Sequence, residues 1–447
     1  MTKLPQDARI CIVGAGAGGL STAYFLKKQG YRNVVVLEKA GRVGGLCCSI
    51  TYNSRSFDLG ANYLTPAYKE VLKIAEEVGA SLYSEGPGQV YNPFKSQPGQ
   101  PAYTSIMNAV TEGTDPVTFL AAVGRFWWER LWLEPIISVP GFAGISQHPE
   151  LTQPFSQWLA QKDLSCLETL FEIPITTMGY GYLNEIPTAY ALKYMTLETF
   201  GTLITYGADL RCGWPKRFTD GFQRFWERVA WGLNVRLNID IKEIKRGAIT
   251  RVRFTEQEQI LDQIVTHEEV LEFDYLVLAC PLTLDVLNTF LDLSSAEKDL
   301  FEQIILNPYS LITYLIPDLQ MPTPVTNVIP VNAVGNPWFI AQQFADNDLI
   351  AFYTRLDREG KITKTDVLQG IQKIVENLGA QVDDDYYTYD EWPYFPHVTS
   401  EVMQAGFYDR LEAMQGQRKT FYVGGLLNFE LVETIVEYSK SLIEKNF

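Results

Sequence analysis

Six residues near the start of the chain restrict its fold more than anything that follows. Arg9–Val13 is a short β-branched run, and Gly14-Ala15-Gly16-Ala17-Gly18-Gly19 comes directly after it. Leu20, Ala23 and Leu26 then recur at helical spacing, and Gly30 closes the segment. Asn33–Leu37 reads as a second strand ending at Glu38. The spacing predicts a β-α-β unit with G-x-G-x-x-G at its first turn. Such glycines let the backbone approach a pyrophosphate, and the helix N-terminus offers N–H donors and a positive dipole end. Glu38 lies about twenty residues beyond the last glycine, where a carboxylate can accept hydrogen bonds from a ribose. A triphosphate-binding P-loop shares the spacing of Gly14 and Gly19. Leu20 stands where its lysine belongs, which excludes that reading.

The 447 residues allow two or three domains at roughly 150 residues each. A formal net charge of −16 argues against a nucleic-acid partner, which needs a basic face. No apolar run is long enough for a membrane-spanning helix, and no signal-peptide pattern is read, so the expected location is cytoplasmic. Cys11, Cys47, Cys48, Cys166, Cys212 and Cys280 form no C-x-x-C pair, and His148, His267 and His397 lie far apart, so no metal site is expected. No G-x-S-x-G elbow occurs. These absences direct the chemistry to a bound organic cofactor.

The segments after Glu38 indicate which cofactor. Lys39 leads into Arg42-Val43-Gly44-Gly45-Leu46, and Phe57-Asp58-Leu59-Gly60-Ala61-Asn62 follows. In this order the motifs resemble the flavin amine oxidase superfamily, which binds FAD. Phe273–Pro281 is similar to that family's second strand motif, and Thr420–Gly425 to its closing flavin motif. The resemblance implies an FAD site built from Gly14, Gly16, Gly18, Gly19, Glu38, Lys39, Arg42, Gly44, Gly45, Leu46, Gly60, Ala61, Asn62, Gly424 and Gly425. Two positions depart from the pattern. Leu46 replaces a frequent arginine. Gly425 replaces an acid whose carboxylate binds a ribityl hydroxyl, and backbone N–H groups at the next helix start are the expected substitute.

The implied fold class is α/β: a Rossmann-like FAD-binding domain of flavin amine oxidase type with an interleaved α+β substrate domain. Residues 1–80, 207–290 and 385–447 are assigned to the first, and 81–206 and 291–384 to the substrate or lid domain. Within the insertions, Val367, Leu368, Ile371, Ile374, Val375 and Leu378 predict a structural helix capped by Gly379. Phe119, Phe126, Trp127, Trp128 and Trp132 crowd another stretch with Arg125 and Arg130. Its two readings are core packing of an amphipathic helix, which is favoured, and a lid or peripheral lipid contact.

A narrower resemblance runs through Met178–Tyr194, Tyr394–Ser400, Ala405–Tyr408, Met414–Gly416 and Tyr438-Ser439-Lys440. These segments are similar to the bacterial FAD-dependent polyunsaturated fatty acid (linoleate) double-bond isomerases. The similarity implies a small apolar substrate such as a polyunsaturated fatty acid. Its allylic carbon gives hydride to flavin N5, and the hydride returns at another carbon, which moves the double bond without net oxidation. No protein base is needed, so no catalytic side chain is assigned. The resemblance also implies a cation near the channel mouth, yet Glu85–Asn92 contains none. Arg125, Arg130, Arg211, Lys216 and Arg217 are the candidates, with preference for Arg211 and Arg217, which flank Trp214. Met178 and Leu203 stand where that subfamily has pocket aromatics, so the expected pocket comprises Met178, Tyr180, Leu203, Trp214, Tyr394, Tyr422, Arg211 and Arg217. Tyr394 and Tyr422 also suit an aromatic cage for an amine, although packing roles are favoured. His397 reads as a structural histidine or a proton shuttle. Two other functions stay open: an FAD-dependent oxidase or dehydrogenase of an amine or unsaturated lipid, and a flavin-bound redox sensor without turnover.

Overall fold

The computed structural model describes residues 3–211, 214–260, 263–330, 334–383 and 385–447; Cys212 lies outside them. Ile10–Val13 is buried along its whole length at the centre of a five-stranded sheet. The strand order is Thr420–Tyr422, Tyr275–Leu278, Ile10–Val13, Val34–Leu37, Val235–Arg236, with every neighbour parallel. Both faces of the central strands are covered, which explains their unbroken apolar runs. The helix Ala17–Lys28 starts at Gly16 without a side-chain cap and packs against the C-terminal helix Val432–Asn446. Gly14 has φ +102°, and a Cβ on Gly19 would overlap the Gly14 carbonyl oxygen. These two glycines therefore build the turn itself.

A seven-stranded sheet forms the second layer. Its order is Thr388–His397, Ile305–Leu315, Leu349–Arg355, Pro337–Ala341, Val325–Val328, Gly88–Tyr91, Tyr103–Ser105. Pairing is antiparallel except between Val325–Val328 and Gly88–Tyr91. The period of two separates its faces. Ile312, Tyr314, Ile340, Ile350 and Phe352 pack with Val367, Ile371, Ile374 and Val375 of the helix Lys364–Asn377. Tyr309, Leu311, Phe339, Ala351 and Tyr353 turn the other way and cluster with Leu59 of the dinucleotide-binding segment. The second face closes the cavity described below. Thr388–His397, in the segment 385–447 that the sequence reading assigns to the FAD-binding domain, pairs with Ile305–Leu315 of this sheet.

A long antiparallel arm of Ile239–Lys245, Thr250–Ile260 and Gln263–Phe273 extends from the parallel sheet. The aromatic-rich stretch forms the helix Pro116–Ile137, started by Asp115, whose carboxylate accepts from Val117 N and Thr118 N. Phe119 and Phe126 are buried, as core packing requires, but Trp127, Trp128 and Trp132 are 42%, 58% and 67% exposed. The favoured core reading therefore fails for the tryptophans. Apolar side chains stand on both faces of this helix, and among the described residues Phe119, Ala122 and Phe126 are buried whereas Val117, Leu120, Trp128, Leu131 and Trp132 are exposed. No helix among the described residues is long and apolar enough to cross a membrane.

Candidate active site

The parallel strands end at a cavity of about 800 Å³ that runs between the two sheets. Its floor is the first turn. Val13, Gly14, Gly16, Ala17 and Gly18 line it, with Glu38 and Lys39 from the end of the second strand. Glu38 is held in place: Ala15 N donates to Oε2 at 2.6 Å and Ala40 N to Oε1 at 2.8 Å. The loop carrying Gly44, Gly45 and Leu46 is stitched to this turn by Gly44 N donating to Ala15 O at 2.8 Å. Gly60 and Ala61 come against the same loop, where Ala61 N donates to Leu46 O at 3.3 Å, and Asn62 follows in the wall. Gly424 and Gly425, at the end of the strand Thr420–Tyr422, complete the wall. A Cβ on Gly16 would stand clear of protein, 3.7 Å from Gly45 Cα, so that glycine keeps cavity space open. An extended groove with a glycine-lined helix N-terminus and a fixed carboxylate fits an adenine dinucleotide.

The far end of the cavity is aromatic. Tyr309, Phe339 and Tyr353 come from the second sheet, Trp392 and Tyr394 from its edge strand, and Met178, Tyr180 and Tyr194 from the helical insertion. Two of the hydroxyls turn back to the backbone: Tyr309 donates to Thr177 O at 3.0 Å and Tyr180 to Glu430 O at 3.0 Å. The rings cluster, with Tyr180 and Tyr309 at 5.4 and 5.7 Å from Tyr394. Burial holds the phenols of Tyr180, Tyr309 and Tyr394 well above their usual range, so they stay neutral. Glu430 also faces the cavity, and burial pushes its carboxyl up to about 7.

Most of the expected cofactor residues meet here, but several expected residues do not. Gly19 lies behind the turn, and Arg42 sits beside Cys48 and Asp390 outside the cavity wall. Of the expected substrate residues, Met178, Tyr180 and Tyr394 line the aromatic end. Leu203 is buried inside the helical insertion, and Trp214 lies outside the cavity with Arg211 stacked on its ring at 5.8 Å. The Tyr422 hydroxyl points away and donates to Glu297 at 2.6 Å, within the Arg246–Glu297 ion pair.

The expected anchors require a larger correction. Arg217 is fully buried, ion-paired with Glu85, and donates to Tyr63 at 2.8 Å. The strand Lys216–Phe218 pairs with Leu82–Ser84, which aims Arg217 at the acid of the neighbouring loop. Arg130 is buried as well and donates to Leu192 O and Met195 O, while Arg125 pairs with Asp163. Lys216 is exposed on the surface. Among the described residues lining the cavity, Lys39 is the one cation, and it stands beside Glu38 rather than at the aromatic end. His397 is structural. Its Nδ1 bonds Phe395 O at 2.7 Å, its ring stacks on Phe395, and burial pushes its pKa down to about 3. Sequence reasoning missed Tyr63, Tyr309, Phe339, Tyr353, Trp392 and Glu430. Strand alternation was the available signal for Tyr309, Phe339 and Tyr353.

Comparison with known proteins agrees with this arrangement. The model of the flavin containing amine oxidoreductases matches residues 17–426. A polyenoic fatty acid isomerase of Ptilota filicina is 44% identical over 216 residues, 43% of this chain and 42% of that protein. The match thus spans about two fifths of that relative's length. An FAD-dependent oxidoreductase of Colletotrichum higginsianum is 24% identical over 446 residues, covering 95% of this chain and 90% of its own. Among solved structures, the CLA-producing fatty acid isomerase from P. acnes superposes with a TM-score of 0.83 at 26% identity, covering 99% of this chain and all of that one. A putrescine oxidase shares the fold at a TM-score of 0.66 and 15% identity. The glycine-lined groove, the fixed Glu38 carboxylate and the match over residues 17–426 converge, and the chain belongs to the flavin-containing amine oxidoreductase family of enzymes, with FAD as its cofactor.

Proposed function

We propose that this enzyme moves a double bond within a polyunsaturated fatty acid held at the aromatic end of the cavity. The observation that carries the reading is that end itself. Aromatic residues line it, the Tyr180 and Tyr309 hydroxyls are tied to backbone carbonyls, and it opens onto the dinucleotide groove. Bound FAD supplies a group that can take a hydride from an allylic carbon and return it to another carbon of the same system. The chain's own part is placement and dryness. Tyr180, Tyr309, Trp392 and Tyr394 would hold the acyl chain against the cofactor and keep water out. The likeness to two proteins named as fatty acid isomerases supports the same reading.

The carboxylate head group finds no cation at the aromatic end among the described residues, and burying it unpaired would be very costly. In this reading it stays at the water end. Val117, Leu120, Trp128, Leu131 and Trp132 form an exposed apolar face on the helix Pro116–Ile137, and nearby charges are paired internally as Arg125–Asp163 and Lys162–Glu129. Peripheral contact of this face with lipid, in a cytoplasmic protein, belongs to the same proposal.

A second reading, net oxidation of an amine, is favoured by the same lack of a cation at the aromatic end among the described residues. One assay separates the two. The enzyme is incubated with linoleate, and separately with a panel of amines, under air and under argon. Isomerisation gives conjugated-diene absorbance under both gases with no oxygen uptake. Oxygen uptake identifies an oxidase, and anaerobic flavin bleaching a dehydrogenase. No change with linoleate or with a panel of amines would leave a redox sensor.

A further inference from the structure

The chain turns abruptly after its closing glycine pair. Gly425–Asn428 makes a single helical turn, and Phe429 then adopts φ 78° and ψ 147°. That region belongs almost entirely to glycine, and non-glycine residues held there mark sites that the surroundings over-determine. Phe429 is buried, with its ring 4.7 Å from Tyr180, 5.2 Å from Phe395 and 5.7 Å from Tyr194. The consequence of this turn falls on the next residue. Glu430 folds back over Gly425, and a Cβ built on Gly425 would overlap the Glu430 carboxylate. The acid from position 430 fills the space that a side chain at 425 would need.

The carboxylate faces the cavity and makes no hydrogen bond among the described residues. The nearby Tyr180 hydroxyl is committed to the Glu430 backbone oxygen. Its position along the groove is defined from both sides. Gly424 packs on the first turn, since a Cβ on Gly18 would lie 3.4 Å from Gly424 N. Tyr180 and Tyr394, whose ionisation Glu430 opposes, belong to the aromatic end. Glu430 thus stands between the phosphate cradle and the aromatic chamber. In FAD the segment joining pyrophosphate to the flavin ring is a polyol, and a carboxyl group offers it acceptor oxygens in either protonation state.

We propose that Glu430 is a cofactor-binding residue: seated in the space left by Gly425, its carboxylate accepts a hydrogen bond from the polyol of FAD. The test is titration of the apoprotein with FAD, read by quenching of flavin fluorescence, beside titration with ADP, which shares the adenine and phosphates but lacks the polyol. Glu430→Ala is expected to raise the Kd for FAD about 10- to 150-fold, the effect of losing a hydrogen bond to a charged group. ADP affinity should stay within about twofold, and Glu430→Gln should fall between wild type and Glu430→Ala. Gly425→Asp alone should lose FAD, because its Cβ collides with Glu430. Gly425→Asp combined with Glu430→Gly removes the colliding carboxylate, leaves the position-430 Cα in tight contact at 3.0 Å, restores an acid, and should regain part of the FAD affinity lost in Gly425→Asp. FAD affinity unchanged in both Glu430 variants overturns the proposal, and so does an equal loss of ADP and FAD affinity. A double variant no better than Gly425→Asp overturns it too. If Glu430→Ala does not fold, Glu430→Gln and the double variant decide. No fatty acid enters the assay, so failure here leaves the isomerase reading untouched, and failure of that reading leaves this one standing.

Discussion

Gly16 and Gly19 belong to one motif, yet the structure gives them separable roles, and valine at Gly16 tests the separation. Gly16 has φ −77° and ψ −172°, extended backbone open to any residue. A Cβ there meets nothing nearer than Gly45 Cα at 3.7 Å, an ordinary contact. The folded apoprotein should accept the change within roughly 0.5 kcal/mol, as at sites without packing conflict. The cofactor should not. The added side chain occupies cavity space at the turn where backbone N–H groups meet the pyrophosphate. Each charge-assisted hydrogen bond lost costs roughly 1.5–3 kcal/mol. Two such losses total roughly 3–6 kcal/mol, or about 10²- to 10⁴-fold in Kd. Gly19→Ala is the contrast. Its Cβ would overlap the Gly14 carbonyl oxygen, a backbone atom, so the turn must open at a cost of roughly 1–3 kcal/mol in the apoprotein. Urea unfolding of both apoproteins, followed by circular dichroism, measures the first quantity, and FAD titration the second. Wild-type FAD affinity in Gly16→Val would refute the reasoning, as would an apoprotein destabilised as deeply as Gly19→Ala.

Two further outcomes follow from buried charge. Arg217→Met leaves Glu85 buried without its partner and should cost about 3–5 kcal/mol in urea unfolding, whereas Arg217→Met with Glu85→Gln should recover most of the loss. A double variant as unstable as the single one would show that the pair is not the source. His397 is held neutral, with its pKa pushed down to about 3 by burial. A base with a depressed folded pKa contributes stability that is complete above the unfolded value of about 6.5 and fades as pH falls towards 3, with a slope approaching roughly 1.4 kcal/mol per pH unit. The stability difference between wild type and His397→Gln should therefore shift against wild type between pH 7 and pH 4. A difference that is flat over this window would remove the neutral assignment.

The sequence by itself determined the cofactor half of this protein. A strand, a glycine turn, a helix and a second strand ending in Glu38 are local in the chain, and each is specified by its own spacing. Gly44, Gly45, Gly60 and Gly424 were legible for the same reason, since only small residues allow backbone to approach a ligand or a neighbouring turn. The tertiary structure decided the rest. Arg217 reads as a free cation until the pairing of Lys216–Phe218 with Leu82–Ser84 brings it to Glu85, 132 residues away. Tyr422 reads as a pocket aromatic until Glu297, 125 residues away, takes its hydroxyl. The tryptophans of Pro116–Ile137 have the same apolar pattern as Phe119 and Phe126, and periodicity cannot tell a covered face from an open one. Glu430 carries no local signal at all, because its place over Gly425 depends on a positive φ at Phe429 that packing by distant aromatics enforces. Groups whose partners lie near in the chain are set by spacing, whereas charge pairing and burial are settled only when distant segments meet.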